Sequence, residues 1–342
     1  MLPSSFNAAR PNYDPSVVHF YSQYHGHNVD KLETVHAQLR GVVDPNNLRP
    51  CVFLAGDSSF DNKFWFQDTA SAINGYEHIL DPPSMKKDIA YWLNYEAHKQ
   101  QKNWFCLNCA VEESALIDRK GSSKLLPQDE FIRDHIQPQD TLIVSVGGND
   151  IALKITRETA QNVHDLMQPE SLAWLDRARK GECGHENQDE QDCEECLGKR
   201  PPSVSYFIDL FKTQVELYVE SLIKKQKPKR VVICMIYYPL ESGSGSSWAD
   251  GVLDQLRYNS TPQLLQLLIR SFFELATKRI KIEGSTTSME VVPFPLFSIL
   301  DGKHEADYVS RVEPSAAGGE KIGRALSSLV VMSETSDGVA TS

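Results

Sequence analysis

No apolar run in this chain of 342 residues approaches the roughly 20 residues that a membrane-spanning helix needs, so no spanning segment is expected. Basic residues are also in short supply, 35 lysines and arginines against 46 aspartates and glutamates, with a formal net charge of -11. A chain without a basic stripe has little to set against phosphates, and nucleic acid is not an expected partner. The opening, MLPSSFNAARPNYDPS, lacks a basic segment followed by an apolar one and lacks the arginine-rich look of a transit peptide. Cysteine is sparse and odd in number, seven in all, which favours reduced thiols over a disulfide framework. Together these absences predict a cytoplasmic protein.

What is present is ample material for a core, since 41% of the residues are hydrophobic and a chain of this length buries roughly three quarters of its unfolded surface. Short apolar runs at Cys51 to Ala55, Trp104 to Asn108, Thr141 to Val146, Arg230 to Tyr237 and Met289 to Leu296 are bounded by turn-forming residues. They are apolar on both faces, as strands of a buried parallel sheet are. Between them, Met85 to Lys99, Ile151 to Leu166, Tyr206 to Lys225 and Pro262 to Lys281 repeat leucines and phenylalanines at three- and four-residue spacings, the period of amphipathic helices. The alternation predicts an α/β fold, a three-layer α/β/α domain around a central five-stranded parallel sheet. In such sheets ligands sit beyond the carboxyl ends of the strands.

Residues 1–48 precede the first strand with one modest helix pattern, Val29 to Leu39, and are expected to pack as an N-terminal extension to a domain over 49–332. Within that domain, 178–203 reads as an inserted, solvated, acidic loop: Glu182 to Leu197 holds seven carboxylates and no lysine or arginine. Cys183, His185, Cys193 and Cys196 there form a Cys3His donor set suited to a structural tetrahedral zinc, though at spacings unlike the common fingers. The alternative is a metal-free loop. No other cofactor is expected. The segment 333–342, with no apolar periodicity, reads as a disordered tail.

The chemistry concentrates at strand ends. Gly56-Asp57-Ser58 follows the first apolar run and Gly147-Gly148-Asn149-Asp150 follows the third. A glycine there makes a sharp turn and lifts the Ser58 hydroxyl over the cleft, while Asn149 offers a neutral amide that can donate to developing negative charge. Each motif alone is also an ordinary turn. Two at neighbouring strand ends suggest one site.

At these residues the chain resembles the SGNH (GDSL-like) hydrolase superfamily, over roughly Pro50 to Val330. The resemblance implies a flavodoxin-like α/β/α domain that cleaves esters, with Ser58 as nucleophile. It further implies an oxyanion hole from the Ser58 N–H, Asn149 and a backbone N–H after the second strand, at Ala110. Asp61-Asn62 also fits a version of the first block. Two blocks depart from the pattern. Asn108 to Glu113 keeps the asparagine of Asn-x-Gly-x-x-Gly and replaces both glycines, and Glu112 or Glu113 brings a carboxylate that faces either a cationic group or solvent. The last block is split. Asp301 and His304 have the spacing of the family's acid and base, whereas Glu313-Pro314-Ser315 carries the helix entry with glutamate where histidine should stand. Three alternatives remain open: His304 oriented by Asp301 is the base, Glu313 is the base, or there is none.

The segment between Tyr237 and Tyr258 follows the fourth strand and is expected to form a lid, with Tyr237, Tyr238 and Trp248 as its apolar walls. The expected function is a serine esterase-type hydrolase that passes a small-molecule ester through an acyl-enzyme on Ser58. A catalytically inactive binding module on the same fold is the alternative, as is an acyltransferase using the same site.

Overall fold

The structure, a computed structural model, describes residues 20–41, 48–119, 125–182, 198–242, 247–283 and 289–331. Five parallel strands make the central sheet: β1 (Cys51–Gly56), β2 (Phe105–Asn108), β3 (Thr141–Ser145), β4 (Arg230–Met235) and β5 (Glu290–Pro295), in the spatial order β2-β1-β3-β4-β5. A short antiparallel ladder, Thr69–Ser71 with Ser84–Lys86, and a hairpin of β6 (Tyr308–Val309) and β7 (Glu313–Pro314) lie outside it. The helices are α1 (Val29–Arg40), α2 (Ile89–Lys99), α3 (Pro127–His135), α4 (Gly148–Ala152), α5 (Arg157–Leu166), α6 (Pro169–Arg179), α7 (Pro202–Ile208), α8 (Gln214–Leu222), α9 (Asp250–Gln255), α10 (Pro262–Leu275) and α11 (Ala316–Val331).

The two-residue period of the strands sorts the core into layers. Phe53, Leu107, Leu142 and Ile233 face one cluster with Leu32 of α1, Phe131 of α3, Leu175 of α6, Val219 of α8 and Phe272 of α10. Val52, Leu54, Ile143 and Val232 face the other way, onto Ile89 and Leu93 of α2 and Ile322 and Leu326 of α11. This is the expected three-layer α/β/α architecture with a five-stranded parallel sheet.

The helix boundaries differ from the periodic pattern for local reasons. α2 begins at Ile89 because Asp88 caps it, accepting the Tyr91 N–H at 2.8 Å, and Met85 is drawn into the Thr69–Ser71 ladder instead. The stretch from Ile151 to Leu166 is broken where Thr156 caps α5 through the Thr159 N–H, 3.0 Å away. Between α7 and α8 the turn Asp209–Thr213 is π-helical. α3 and α6 were not anticipated from the sequence.

Helix α1, read above as part of an extension, contributes Leu32, Val35 and Leu39 to the same core as the sheet. Its last residue is fastened by charge. Arg40 reaches both oxygens of Asp140 at 2.6 Å, with side-chain exposures of 7% and 0%. Asp140 also accepts the N–H groups of Cys51 and Gln137, each at 2.8 Å, so one carboxylate ties α1 to the first residue of β1 and to the turn before β3. The zinc donor set Cys183, His185, Cys193 and Cys196 and the segment 333–342 lie outside the described residues.

Removing one partner of a buried, hydrogen-bonded ion pair leaves the other charge uncompensated. Arg40→Leu is therefore expected to cost about 3–5 kcal/mol, read as a lowered denaturant midpoint. Unchanged stability would show that α1 is not held by this pair.

Candidate active site

Gly56 is the hinge of the nucleophile loop. Its φ is +135°, and a Cβ there would lie 1.8 Å from the Ser145 carbonyl oxygen, so only glycine fits where the ends of β1 and β3 press together. The chain then turns: Asp57 N–H donates to Ser145 O at 3.3 Å, and Phe60 and Asp61 N–H return to Asp57 O at 3.1 and 3.0 Å. Ser58 emerges at the turn, 7% exposed. The Asp57 carboxylate holds the loop from within, accepting the Ser59 N–H at 3.0 Å and the Ser59 hydroxyl at 2.7 Å.

On the next strand, Gly147 begins α4 with φ +102°, and Asn149 comes to the same cavity as Ser58. Asn149 Nδ2 donates one hydrogen to Ser114 O at 2.9 Å, which fixes the amide and leaves its second hydrogen uncommitted. Asp150 accepts the N–H groups of Leu116 and Ile117 at 2.9 and 3.0 Å. The Asn-Asp pair thus stitches the loop after β2 to the end of β3.

That loop does not bring Ala110 to the cavity. Ala110 is fully buried, and its N–H is spent on Asn108 Oδ1 at 3.1 Å. The N–H groups of Cys109, Val111, Glu112 and Ser114 are likewise engaged, by Leu54 O, Gly56 O, Asp61 Oδ2 and Val111 O. Glu113, at the pattern's second glycine position, has φ +60°, and no hydrogen bond of its N–H is found among the described residues. The sequence signal was there: a glycine position filled by another residue keeps its backbone donor.

The split last block resolves into two separate structures. Gly302 sits at φ +81°, its missing Cβ 2.5 Å from Pro239 O, and its N–H donates to the Tyr308 hydroxyl at 2.8 Å. Tyr308 Oη in turn donates to Tyr238 O at 2.8 Å. Locked this way, the loop turns its other side chains outward. Asp301 is half-buried and, among the described residues, accepts only its own loop's Lys303 N–H at 3.1 Å, and His304 is exposed and does not line the cavity. The chain then makes the β6–β7 hairpin, whose turn residues Ser310 and Arg311 have φ +52° and +67°, and returns with Glu313.

Glu313 lines the cavity with Ser58 and Asn149 and is 1% exposed. Pro314 O accepts the Asn62 amide at 2.8 Å, so the glutamate's strand is tied directly to the nucleophile loop. Glu313 Oε1 accepts the Trp248 indole N–H at 3.3 Å, while Oε2 is buried without a tight partner. The Ser58 hydroxyl interacts with this carboxyl and favours its charged form, although no close Oγ to Oε hydrogen bond is formed; catalytic hydrogen bonds are often long before substrate binds.

Burial dominates the electrostatics. Glu313 is pushed up to about 7 by desolvation, opposed by Ser58 and reinforced by the charge of Asp57. Glu112 is pushed up to about 9, again by desolvation first and then by the charge of Glu313. Trp65 Nε1 donates to Glu112 Oε1 at 3.1 Å, and Oε2 has no partner. Asp57 is raised to about 6 by burial. Asp61, by contrast, is structural. It accepts the N–H groups of Gly26 and Glu112, both at 2.8 Å, and is paired with the fully buried Lys63.

Tyr237 and Trp248 line the cavity, as do Ala249, Val252 and Leu253 around α9. Tyr238 does not; its ring stacks on Phe297 at 5.2 Å. No group of three or more histidine, cysteine, aspartate or glutamate side chains arranged to hold a metal occurs among the described residues. Nor is any helix among them long and apolar enough to cross a membrane.

Among solved structures, an aryl esterase of M. smegmatis, in its inhibitor-bound form, is similar at 13% identity, covering 83% of this chain and 99% of that one, with a TM-score of 0.38. Est24, a carbohydrate acetylesterase from Sinorhizobium meliloti, is similar at 12% identity over 83% and 99%, TM-score 0.34. A carbohydrate esterase family 3 protein from Talaromyces cellulolyticus follows at 10% identity over 83% and 97%, TM-score 0.35. No protein-family model matches the chain, nor does any curated protein. The likenesses are distant, and the chemistry below rests on none of them.

Raised carboxyl pKa values make a definite claim about stability. Between about pH 4.5, where an unfolded glutamate releases its proton, and about 7 for Glu313 and 9 for Glu112, the folded chain retains protons that the unfolded chain has lost. These two groups therefore lower stability as pH rises through that window. Glu112→Gln and Glu313→Gln should each flatten the fall and raise stability at pH 8.5 by on the order of 1–3 kcal/mol, with little change at pH 4.5. Denaturant midpoints at the two pH values decide it. Variants no more stable than wild type at pH 8.5 would mean that both carboxylates are well solvated.

Proposed function

We propose that the protein is a serine hydrolase of acyl bonds, an esterase in type, working through Ser58 with Glu313 in place of a histidine. The observation that carries this reading is the single cavity lined by Ser58, Asn149 and Glu313 at the carboxyl ends of adjacent strands. A free glutamate is a poor base for a hydroxyl, but one raised to about 7 is matched to neutral pH.

In this reading Ser58 Oγ attacks the acyl carbon as its proton passes to the unpartnered Oε2 of Glu313. The carbonyl π pair moves to oxygen, where the free hydrogen of Asn149 Nδ2 and the backbone N–H of Ser58 receive it. When the tetrahedral centre collapses, the carbon to alkoxy-oxygen bond breaks and Glu313 returns the proton to the departing alcohol. Water, losing a proton to the same carboxylate, then releases the acyl group from Ser58. An acceptor alcohol in place of that water would make the protein an acyltransferase. In this reading Asp301 and His304 take no part, His304 being exposed and outside the lining of the cavity.

Labelling by a fluorophosphonate and turnover of p-nitrophenyl acetate test the assignment. Ser58→Ala should lose both. Glu313→Gln should lower kcat by about 10²–10⁴-fold, His304→Ala should retain activity, and wild-type kcat/KM should climb with pH to a plateau above about 7. Loss of activity in His304→Ala comparable to that in Ser58→Ala would return the base to the Asp301/His304 pair. Absence of both labelling and turnover in wild type would leave the binding module as the reading.

A further inference from the structure

The cavity that holds Ser58 extends well past the reacting groups. Its polar lining comes from Asp57, Ser58, Ser59, Asn149 and Glu313, with the Tyr237 hydroxyl donating to Val312 O at 2.6 Å and the Trp248 indole to Glu313. Beyond them the wall is hydrocarbon, made by Val163 of α5, Phe207 of α7, Val252 of α9, and Leu268 and Phe272 of α10, among others. Leu268, Phe207 and Phe272 are themselves buried in the main core, so the space runs into the helical layer and is no surface groove. Its volume is about 140 Å³. Interiors are otherwise packed to crystal density, and an apolar void of about this size stays dry and accepts a benzene-sized guest.

The occupant follows from the chemistry of the lining. Apart from those groups the lining carries no charged or hydrogen-bonding side chain, so a sugar, an amine or a second carboxylate set among Val163, Phe207, Val252, Leu268 and Phe272 would go in unsatisfied. What fits is a hydrocarbon whose single polar function stops at Ser58. Which half of an ester it is follows from the proton path. Glu313 must protonate the departing oxygen, which puts the alcohol toward Trp248, a ring 39% exposed. The acyl substituent is then left to the apolar part of the lining, which includes Ile151 and Ala152 of α4.

We propose that this chamber is an acyl-chain socket, and that the substrate is an ester of an unbranched apolar acid of about six to eight carbons, the length set by the two turns of α10 from Leu265 to Phe272, roughly 10 Å. The inference rests on the reading of Ser58 as nucleophile for the word ester, but the socket itself does not, and the test separates the two.

Turnover of p-nitrophenyl esters from acetate to dodecanoate is measured in parallel with calorimetric binding of methyl butyrate and methyl octanoate to Ser58→Ala protein. The expected result is a kcat/KM at least tenfold higher for the octanoate than for the acetate, a decline by dodecanoate, and at least tenfold tighter binding of methyl octanoate than of methyl butyrate. Val163→Trp, or Val252→Trp should the first fail to fold, should lower the octanoate-to-acetate ratio of kcat/KM at least tenfold. Equal turnover of acetate and octanoate with equal binding of the two methyl esters overturns the socket and leaves the hydrolase standing. No turnover of any ester, with methyl octanoate still bound in preference, supports the socket and sinks the hydrolase.

Discussion

At residue 56 there is no room for a side chain, and the rest of the site depends on that. With a would-be Cβ only 1.8 Å from Ser145 O, the ends of β1 and β3 are pressed together more tightly than two ordinary residues allow. The Asp57 N–H then reaches Ser145 O, the chain turns at once, and the loop carrying Ser58 rises beside the loop carrying Asn149. Asn149 and Asp150 answer from the other side by gripping the loop after β2. Three strand ends are thereby locked into one rim before any question of chemistry arises.

The unusual feature of that rim is its load of acid. Asp57, Glu112 and Glu313 are all buried with pKa values raised by desolvation, and two of their oxygens have no partner. A fold does not keep such groups for stability, since each ionised carboxylate in a poorly solvated setting works against the native state. Burial first, and then the charge of Asp57, raises Glu313 to about 7. Glu313, where the familiar pattern has a histidine, adds its charge to burial in raising Glu112, so the two glutamates belong to one electrostatic arrangement.

Much of the frame was legible beforehand. The strand runs were read within about two residues of β1 to β5, because β1 to β4 are buried throughout and so must be apolar, while the half-buried edge strand β5 is marked by its valines and phenylalanine. Helix ends were read less well, since Asp88 and Thr156 stop a pattern that periodicity alone would continue. α1 was taken for an extension because its pattern is modest; the Arg40 to Asp140 pair that helps fix it spans 100 residues, a separation no local signal conveys. The choice between His304 and Glu313 was legible only as a choice. It turned on Gly302 packing against Pro239 and on a hairpin with two left-handed residues, which together send one candidate to solvent and the other inward.

Composition and periodicity, acting through burial, determined by themselves a parallel sheet between two helical layers with Gly-Asp-Ser and Asn-Asp at neighbouring strand tips. Those are short-range facts, written in which residues alternate and where glycine stands. Only the tertiary structure decided which carboxyl shares a cavity with Ser58, how far its pKa rises and which side chains wall the apolar chamber. Desolvation and enclosure are properties of what surrounds a group, and residues such as Trp248, Phe272 and Glu313 become neighbours of one cavity only after the chain has closed around it.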